Sequence, residues 1–357
     1  MVSRRPDNRA DTGAHNGADT GADNGADNGA RQRGPTTGPD DGACDPVRVA
    51  TPAAAAGGSP TYAPLDVPGS SGLLRLGSGA FAPGQPLVMG VVNATPDSFY
   101  DRGATYAAAA ALDLVDAMVE QGADLVDLGG VKAGVGDDVD VAEELRRTTP
   151  LVSAVRERHP HLVISVDTWR AEVADAVCDA GADLINDPWA GSDARLVEVA
   201  ARHGVGLVCS HTGGQLPRRS MGRVRYADVV ADVVAGTTGL AAKALAAGVR
   251  PDGIGLDPTH DFGKTTAHSL EVTRRLDELV ATGWPVLVAV SNKDFVGETL
   301  DLSIDQRLAG TLAATAVAAW HGARMFRAHQ VAATRQVVDM VASIRGDRPP
   351  AAPVRGL

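Results

Sequence analysis

The sequence predicts an α/β chain: a (β/α)8 barrel preceded by an N-terminal tail. Short apolar runs recur and end each time on a polar residue, Ala-rich amphipathic segments lie between them, and a glycine commonly precedes the next run. Apolar runs of this length bounded by turn-forming residues read as strands buried on both faces, and the amphipathic segments read as the helices that cover them. Glycine suits the left-handed position that ends a helix before the chain turns back, as at Gly122, Gly181, Gly204, Gly248, Gly283 and Gly322. Eight such units over about 260 residues fit a barrel whose site lies at the C-terminal ends of its strands. A doubly wound open sheet also alternates strands and helices, but eight near-equal units without G-x-G-x-x-G after the first strand disfavour it.

Residues 1–80 are rich in Gly, Ala, Asp, Asn and Pro, carry a Gly-Ala-Asp-Asn near-repeat from Gly21 to Asn28, and hold almost no large apolar side chains. Such a segment buries too little surface to offset its ordering entropy, so disorder is expected up to about residue 80. It has no apolar stretch suited to a signal peptide or membrane anchor. The barrel is expected over residues 81–357, a span long enough for one large domain with a full core. Lys and Arg number 33 against 44 acidic residues, a net charge of −11, which argues against a nucleic-acid surface. Cys44, Cys178 and Cys209 share no C-x-x-C spacing, so neither a disulfide framework nor structural zinc is expected, and the reading is of a cytoplasmic chain with no membrane partner.

The first strand, Leu87 to Asn93, runs into Ala94-Thr95-Pro96-Asp97-Ser98-Phe99. The Asn93 amide oxygen suits the shell of a hard cation such as Mg²⁺ held largely by phosphate oxygens, and it suits equally a cap on the loop. The second, third, fourth and sixth strands end on Asp127, Asp167, Asn186 and Asp257, and the fifth ends at His211. Carboxylates and amides converging in a barrel mouth offer partners to a flat, hydrogen-bonding ring. Lys293 follows the seventh strand, Val286 to Ser291, and Arg327 and His329 close the eighth. Being two apart on a strand, Arg327 and His329 share a side, and together they suit an anion.

With these residues in place, the span from about 85 to 345 resembles the dihydropteroate synthase family. The resemblance lies in Asn93-Ala94-Thr95-Pro96-Asp97-Ser98-Phe99, Ser165-Val166-Asp167-Thr168, Asn186-Asp187, Asp257-Pro258, Phe262-Gly263-Lys264, Lys293 and Arg327-Ala328-His329, in that order. It implies a pterin site lined by Asp167, Asn186, Asp257 and Lys293 with Phe262 near the ring, and a pyrophosphate site of Asn93, Mg²⁺, Arg327 and His329. Asn93, Lys293, Arg327 and His329 are the implied catalytic groups. The implied reaction, a step of folate biosynthesis, joins 6-hydroxymethyl-7,8-dihydropterin pyrophosphate to p-aminobenzoate, and the family resemblance also suggests a homodimer.

Departures from the family pattern touch both substrate sides. Gly129-Gly130-Val131-Lys132 stands where the family has a Ser-Thr-Arg-Pro type loop that helps close the p-aminobenzoate site, whereas Thr212, replacing a Met beside His211, and Thr259-His260-Asp261, replacing small residues, alter the lining of the implied pterin pocket. Ser291-Asn292-Lys293-Asp294-Phe295 replaces Ser-Arg-Lys-Ser-Phe, placing Asp294 where the family has a serine beside the p-aminobenzoate carboxylate. Two anions there would repel, although Asp294 also suits a cap on the following helix. The chain is thus expected to be a synthase-type transferase using p-aminobenzoate or a related amine, or alternatively a pterin-binding paralogue with little or no synthase activity.

Overall fold

The computed structural model describes residues 72–94, 104–132, 138–219 and 224–355. The chain from 87 onward forms the expected barrel. Its strands are β3 (Leu87–Asn93), β4 (Leu125–Gly129), β5 (Val163–Asp167), β6 (Leu184–Asp187), β7 (Gly206–Ser210), β8 (Ile254–Asp257), β9 (Leu287–Val288) and β10 (Met325–Ala328). All pair in parallel in the order β8-β7-β6-β5-β4-β3-β10-β9. Closure rests on a single parallel bridge, Leu256 to Val286, with the Leu256 N–H donating to the Pro285 carbonyl at 2.9 Å.

Side-chain alternation divides the strands between two cores, as period-two geometry requires. Leu87, Met89, Leu125, Val163, Leu184 and Met325 fill the barrel interior, while Val88, Val126, Ile164, Ile185, Leu207 and Phe326 belong to the layer beneath the helices. That layer is made by α1 (Ala104–Glu120), α2 (Val141–Arg158), α3 (Ala171–Asp179), α4 (Leu196–His203), α5 (Val229–Ala247), α6 (Thr266–Arg274), α7 (Leu276–Val280), α8 (Asp294–Leu300), α9 (Leu308–Trp320) and α10 (Val331–Arg345). Helix α5 is long and apolar enough to cross a membrane, but it lies against β7 and β8 with Val229, Val230, Val233 and Ala241 buried. The glycines expected before strands all adopt positive φ, from 67° at Gly204 to 110° at Gly181.

Expected disorder up to residue 80 needs correction at its end. Residues 1–71 lie outside the described residues, but β1 (Leu74–Leu76) and β2 (Gly79–Phe81) form an antiparallel hairpin ahead of the first barrel strand. Leu74 and Leu76 are buried among the interior side chains of β3, β4, β5 and β6. A Cβ on Gly206 would come within 2.6 Å of Leu76, so glycine there makes room for the plug. The Arg324 guanidinium clamps both ends, donating to the Gly72 carbonyl at 2.6 Å and the Ala82 carbonyl at 2.7 Å. Two leucines, spaced by two, suffice to plug a barrel end, in keeping with an expected start of folded chain near Leu73.

Candidate active site

The strand ends deliver one connected polar network. Asp127, fully buried on β4, accepts from the Ser165 hydroxyl at 2.6 Å, the Asn186 amide at 3.0 Å and Arg327 Nε at 2.6 Å. The other arm of Arg327 donates to Asp167 at 3.0 Å. One guanidinium from β10 thereby joins carboxylates of β4 and β5 across the mouth, and Asp127 orients both Asn186 and Arg327. Among the described residues, Asp167 Oδ1 is buried with no hydrogen-bond partner. An unsatisfied buried acceptor is costly, so this atom is poised for a ligand donor. Burial raises the Asp167 pKa, against the pull of Arg327.

Asp257 ends β8 buried, and its Oδ1 accepts the Thr259 N–H at 2.7 Å. Burial lifts its pKa, opposed by that hydrogen bond and by Lys293 and Lys264. Lys293 Nζ donates to the His260 carbonyl at 2.8 Å and stands 4.5 Å from the centre of the Phe262 ring. Burial lowers its pKa, against Asp261 and Asp257. Phe262 meets Trp189 edge-on at 5.3 Å, within an apolar cluster that includes Val131 and Trp169. A polar end and an aromatic wall thus adjoin, the arrangement a flat heterocycle requires.

On the anion side, the Asn93 amide oxygen and the Asp167 Cβ flank Gly129, each within 4 Å of where a side chain at 129 would begin. Such a side chain would fill the gap between them. His329 lies just beyond β10 with its side chain exposed and its backbone N–H on Ser291 Oγ at 3.3 Å. The structure therefore gathers Asp167, Asn186 and Arg327 tightly, sets Lys293 and Phe262 together, and leaves His329 at the rim. Thr95 to Phe99 of the first signature, and 133–137 of the loop after β4, lie outside the described residues.

Several site features were not legible beforehand. Glu144 on α2, fully buried, accepts from Thr168 at 2.7 Å and pairs with Arg170, bracing the turn after Asp167. A lone Glu in a helix gives no sequence signal for this role. Asp294 does not cap α8: the N–H groups of Asp294 and Phe295 are taken by Asp261 Oδ2, at 2.7 and 3.3 Å. Asp294 instead is largely exposed and pairs with Arg307 at 2.9 Å. Ala190, Thr259, Asp261 and Asn292, all in loops at the strand C-terminal ends, hold positive φ without being glycine. Such strain gathers where surrounding structure fixes a functional shape.

An eight-stranded parallel barrel with this carboxylate, amide and guanidinium set at its mouth is a scaffold whose C-terminal strand ends can gather a small-molecule site. Residues 89–329 match the family model described as pterin binding enzyme, and the chain belongs to that family. It is 58% identical over 275 residues, 76% of this chain and 94% of the relative, to the inactive dihydropteroate synthase 2 of Mycobacterium leprae. With the dihydropteroate synthase of Haemophilus influenzae it shares 36% over 254 residues, 71% of this chain and 92% of the relative. Among solved structures, a Yersinia pestis dihydropteroate synthase in a sulfonamide drug complex superposes with TM-score 0.71 at 33% identity, covering 77% of this chain and all of that one. The Thermus thermophilus dihydropteroate synthase in complex with 4-aminobenzoate gives 0.68 at 37%, covering 76% and 99%. The chain is a divergent member of the dihydropteroate synthase family.

Proposed function

We propose that the barrel mouth binds 6-hydroxymethyl-7,8-dihydropterin pyrophosphate and supports synthase-type transfer, with p-aminobenzoate a poor acceptor. The observation that carries this is the Asp167 carboxylate beside Asn186: Arg327 holds its Oδ2, while its buried Oδ1 has no partner among the described residues. Asp167, Asn186 and Asp257 supply acceptors and a donor for the ring edge, Lys293 a further donor, and Phe262 with Trp189 the apolar wall. In the transfer, the bond between the pterin methylene carbon and the pyrophosphate oxygen breaks, its electron pair leaving with pyrophosphate. The amine nitrogen bonds to that carbon and then sheds a proton. Arg327, with His329 at the rim, stabilises charge developing on the leaving group. That role requires Arg327 to exchange part of its carboxylate pairing for phosphate oxygens.

Mg²⁺ is proposed as the cofactor. An amide oxygen beside an anion site is a hard donor, matching an ion usually held by few protein oxygens plus phosphate. Asn93 would hold it, and when bound it would neutralise pyrophosphate charge. A cytoplasmic homodimer completes the reading. Leu300, Ile304, Val317 and Trp320 stand exposed on and between α8 and α9, apolar surface of the kind that self-associates. Ile304→Glu with Trp320→Glu should shift sedimentation from dimer to monomer, and an unchanged dimer would place the interface elsewhere.

The second reading, a pterin-binding paralogue with little or no turnover, is favoured by one observation: Arg327 is already engaged by two carboxylates. Calorimetric titration with the dihydropterin and its pyrophosphate tests the shared premise. Binding of either is expected, with the pyrophosphate form tighter when Mg²⁺ is present. No heat with any pterin would sink both readings.

A further inference from the structure

Lys264 is 3% exposed, and the transfer chemistry above does not use it. Its Nζ lies 2.9 Å from His211 Nδ1, 2.9 Å from the His211 carbonyl, 3.2 Å from the Thr259 carbonyl and 3.1 Å from the Phe262 carbonyl. The first two belong to the end of β7 and the last two to the loop after β8. Between those two carbonyls, the His260 carbonyl is held by Lys293 at 2.8 Å. Two lysines, Lys264 buried and Lys293 partly so, therefore fix three carbonyls of one short loop. Gly263, at φ +60°, lets the loop approach so closely that a Cβ would lie 2.0 Å from the Thr212 carbonyl. The Tyr226 hydroxyl donates to the Gly263 carbonyl at 2.6 Å.

We infer that Lys264 is a positioning residue: it fastens the loop after β8 to the end of β7, and so sets Phe262 against Trp189 and holds the His260 carbonyl where Lys293 is anchored. Without that fastening, the left-handed Thr259 (φ 53°) and Asp261 (φ 70°) would be free to relax, carrying Phe262 away from the mouth. The inference depends on the pterin reading only for what the loop is positioned toward.

The clamp extends to the surface. His211 Nε2 lies 2.6 Å from Asp232 on α5, whose carboxylate is half exposed. Burial and Lys264 push the His211 pKa down to about 4, so the ring is neutral. Its Nε2–H then donates to Asp232, and its Nδ1 lone pair accepts from Lys264. Facing Lys264 are His211 from β7, Asp232 from α5, Asp257 from β8, His260 and Asp261 from its loop, and Lys293 before α8. Burial, aided by Lys293, pulls the Lys264 pKa down to about 7, against Asp257, Asp232 and Asp261.

The sign of the resulting pH dependence follows from proton counting. With the loop closed, Lys264 loses its proton near pH 7. With the loop open, it returns to water and holds the proton to about pH 10. The closed form binds fewer protons across that window, so closure is favoured as pH rises through it.

Amide hydrogen exchange over residues 259–263 of the whole chain, corrected for intrinsic rates, reads the opening directly. Wild-type protection should rise between pH 7 and 9, approaching tenfold per unit at most. Lys264→Met should lower protection there and flatten the profile. Asp232→Asn, on the exposed end of the relay, removes a charge that supports protonated Lys264, so the rise should start about a few tenths of a pH unit lower. A flat wild-type profile, a slope retained in Lys264→Met, or no shift in Asp232→Asn would overturn the inference. In parallel, Lys264→Met should weaken pterin binding at least about tenfold while pyrophosphate binding, made through Arg327, holds. Equal loss of both overturns it as well. Should the wild type bind no pterin while the exchange profiles behave as stated, the functional reading fails and the clamp stands.

Discussion

At the scale of single residues, Arg327 decides most. It serves two carboxylates in the free site and is assigned to the leaving pyrophosphate in the occupied one. Arg327→Ala leaves Asp127 and Asp167 buried without their cation, a loss of about 3–5 kcal/mol in stability. Arg327→Lys keeps the charge and loses the fork, so calorimetry should show pyrophosphate affinity falling more in the alanine variant than in the lysine one, with Tm following the same order. If neither substitution changes pyrophosphate affinity, the anion site lies elsewhere. Asp294 is a smaller matter than charge counting on the sequence implies. Its side chain is largely exposed and paired with Arg307, so Asp294→Ser should improve use of p-aminobenzoate by only about fivefold or less, roughly 1 kcal/mol. A hundredfold gain in a steady-state assay would show that Asp294 lies in a much drier place than its exposure indicates.

At the scale of elements, the hairpin of β1 and β2 contributes through two leucines. Leu76→Ala should cost about 2–4 kcal/mol, read as a lowered midpoint in denaturant, because its pocket is bounded by barrel strands that cannot collapse to fill it. A cost below about 0.5 kcal/mol would mean the plug is not part of the cooperative core. The contrast between this hairpin and the barrel strands explains what was legible. A strand buried on both faces writes a short, mostly apolar run, and the residue that ends it is polar because it leaves the core for the mouth. Leu87 to Asn93 and Val163 to Asp167 could therefore be read with their functional ends attached. Arg75 and the polar turn at Gly77 break the hairpin's pattern, since only one of its faces is buried. Contacts between elements were illegible for a different reason. The bond from Arg327 to Asp127 spans 200 residues, and the Lys264 clamp depends on where two loops meet, which no local pattern records.

At the scale of the whole molecule, the barrel supports two rings of function with unequal fidelity to the family. The residues proposed for the pterin, Asp167, Asn186, Asp257 and Lys293, are all present at the mouth, with the lining altered at Thr212 and Thr259-His260-Asp261. The side proposed for the second substrate carries Gly129-Gly130-Val131 and Asp294 in place of the family's loop arginine and serine. The chain also stands much nearer in sequence to relatives named inactive than to the Haemophilus influenzae synthase, 58% against 36%. A molecule built this way should bind the first substrate well and turn it over poorly. The most direct measurement is pyrophosphate release from 6-hydroxymethyl-7,8-dihydropterin pyrophosphate by the wild-type chain with Mg²⁺, with and without p-aminobenzoate and with other amines. Weak or absent release with p-aminobenzoate, alongside intact pterin binding, is the expected result, and a rise with a different amine would identify the acceptor. Release with p-aminobenzoate as fast as that of the Haemophilus influenzae synthase would contradict the account.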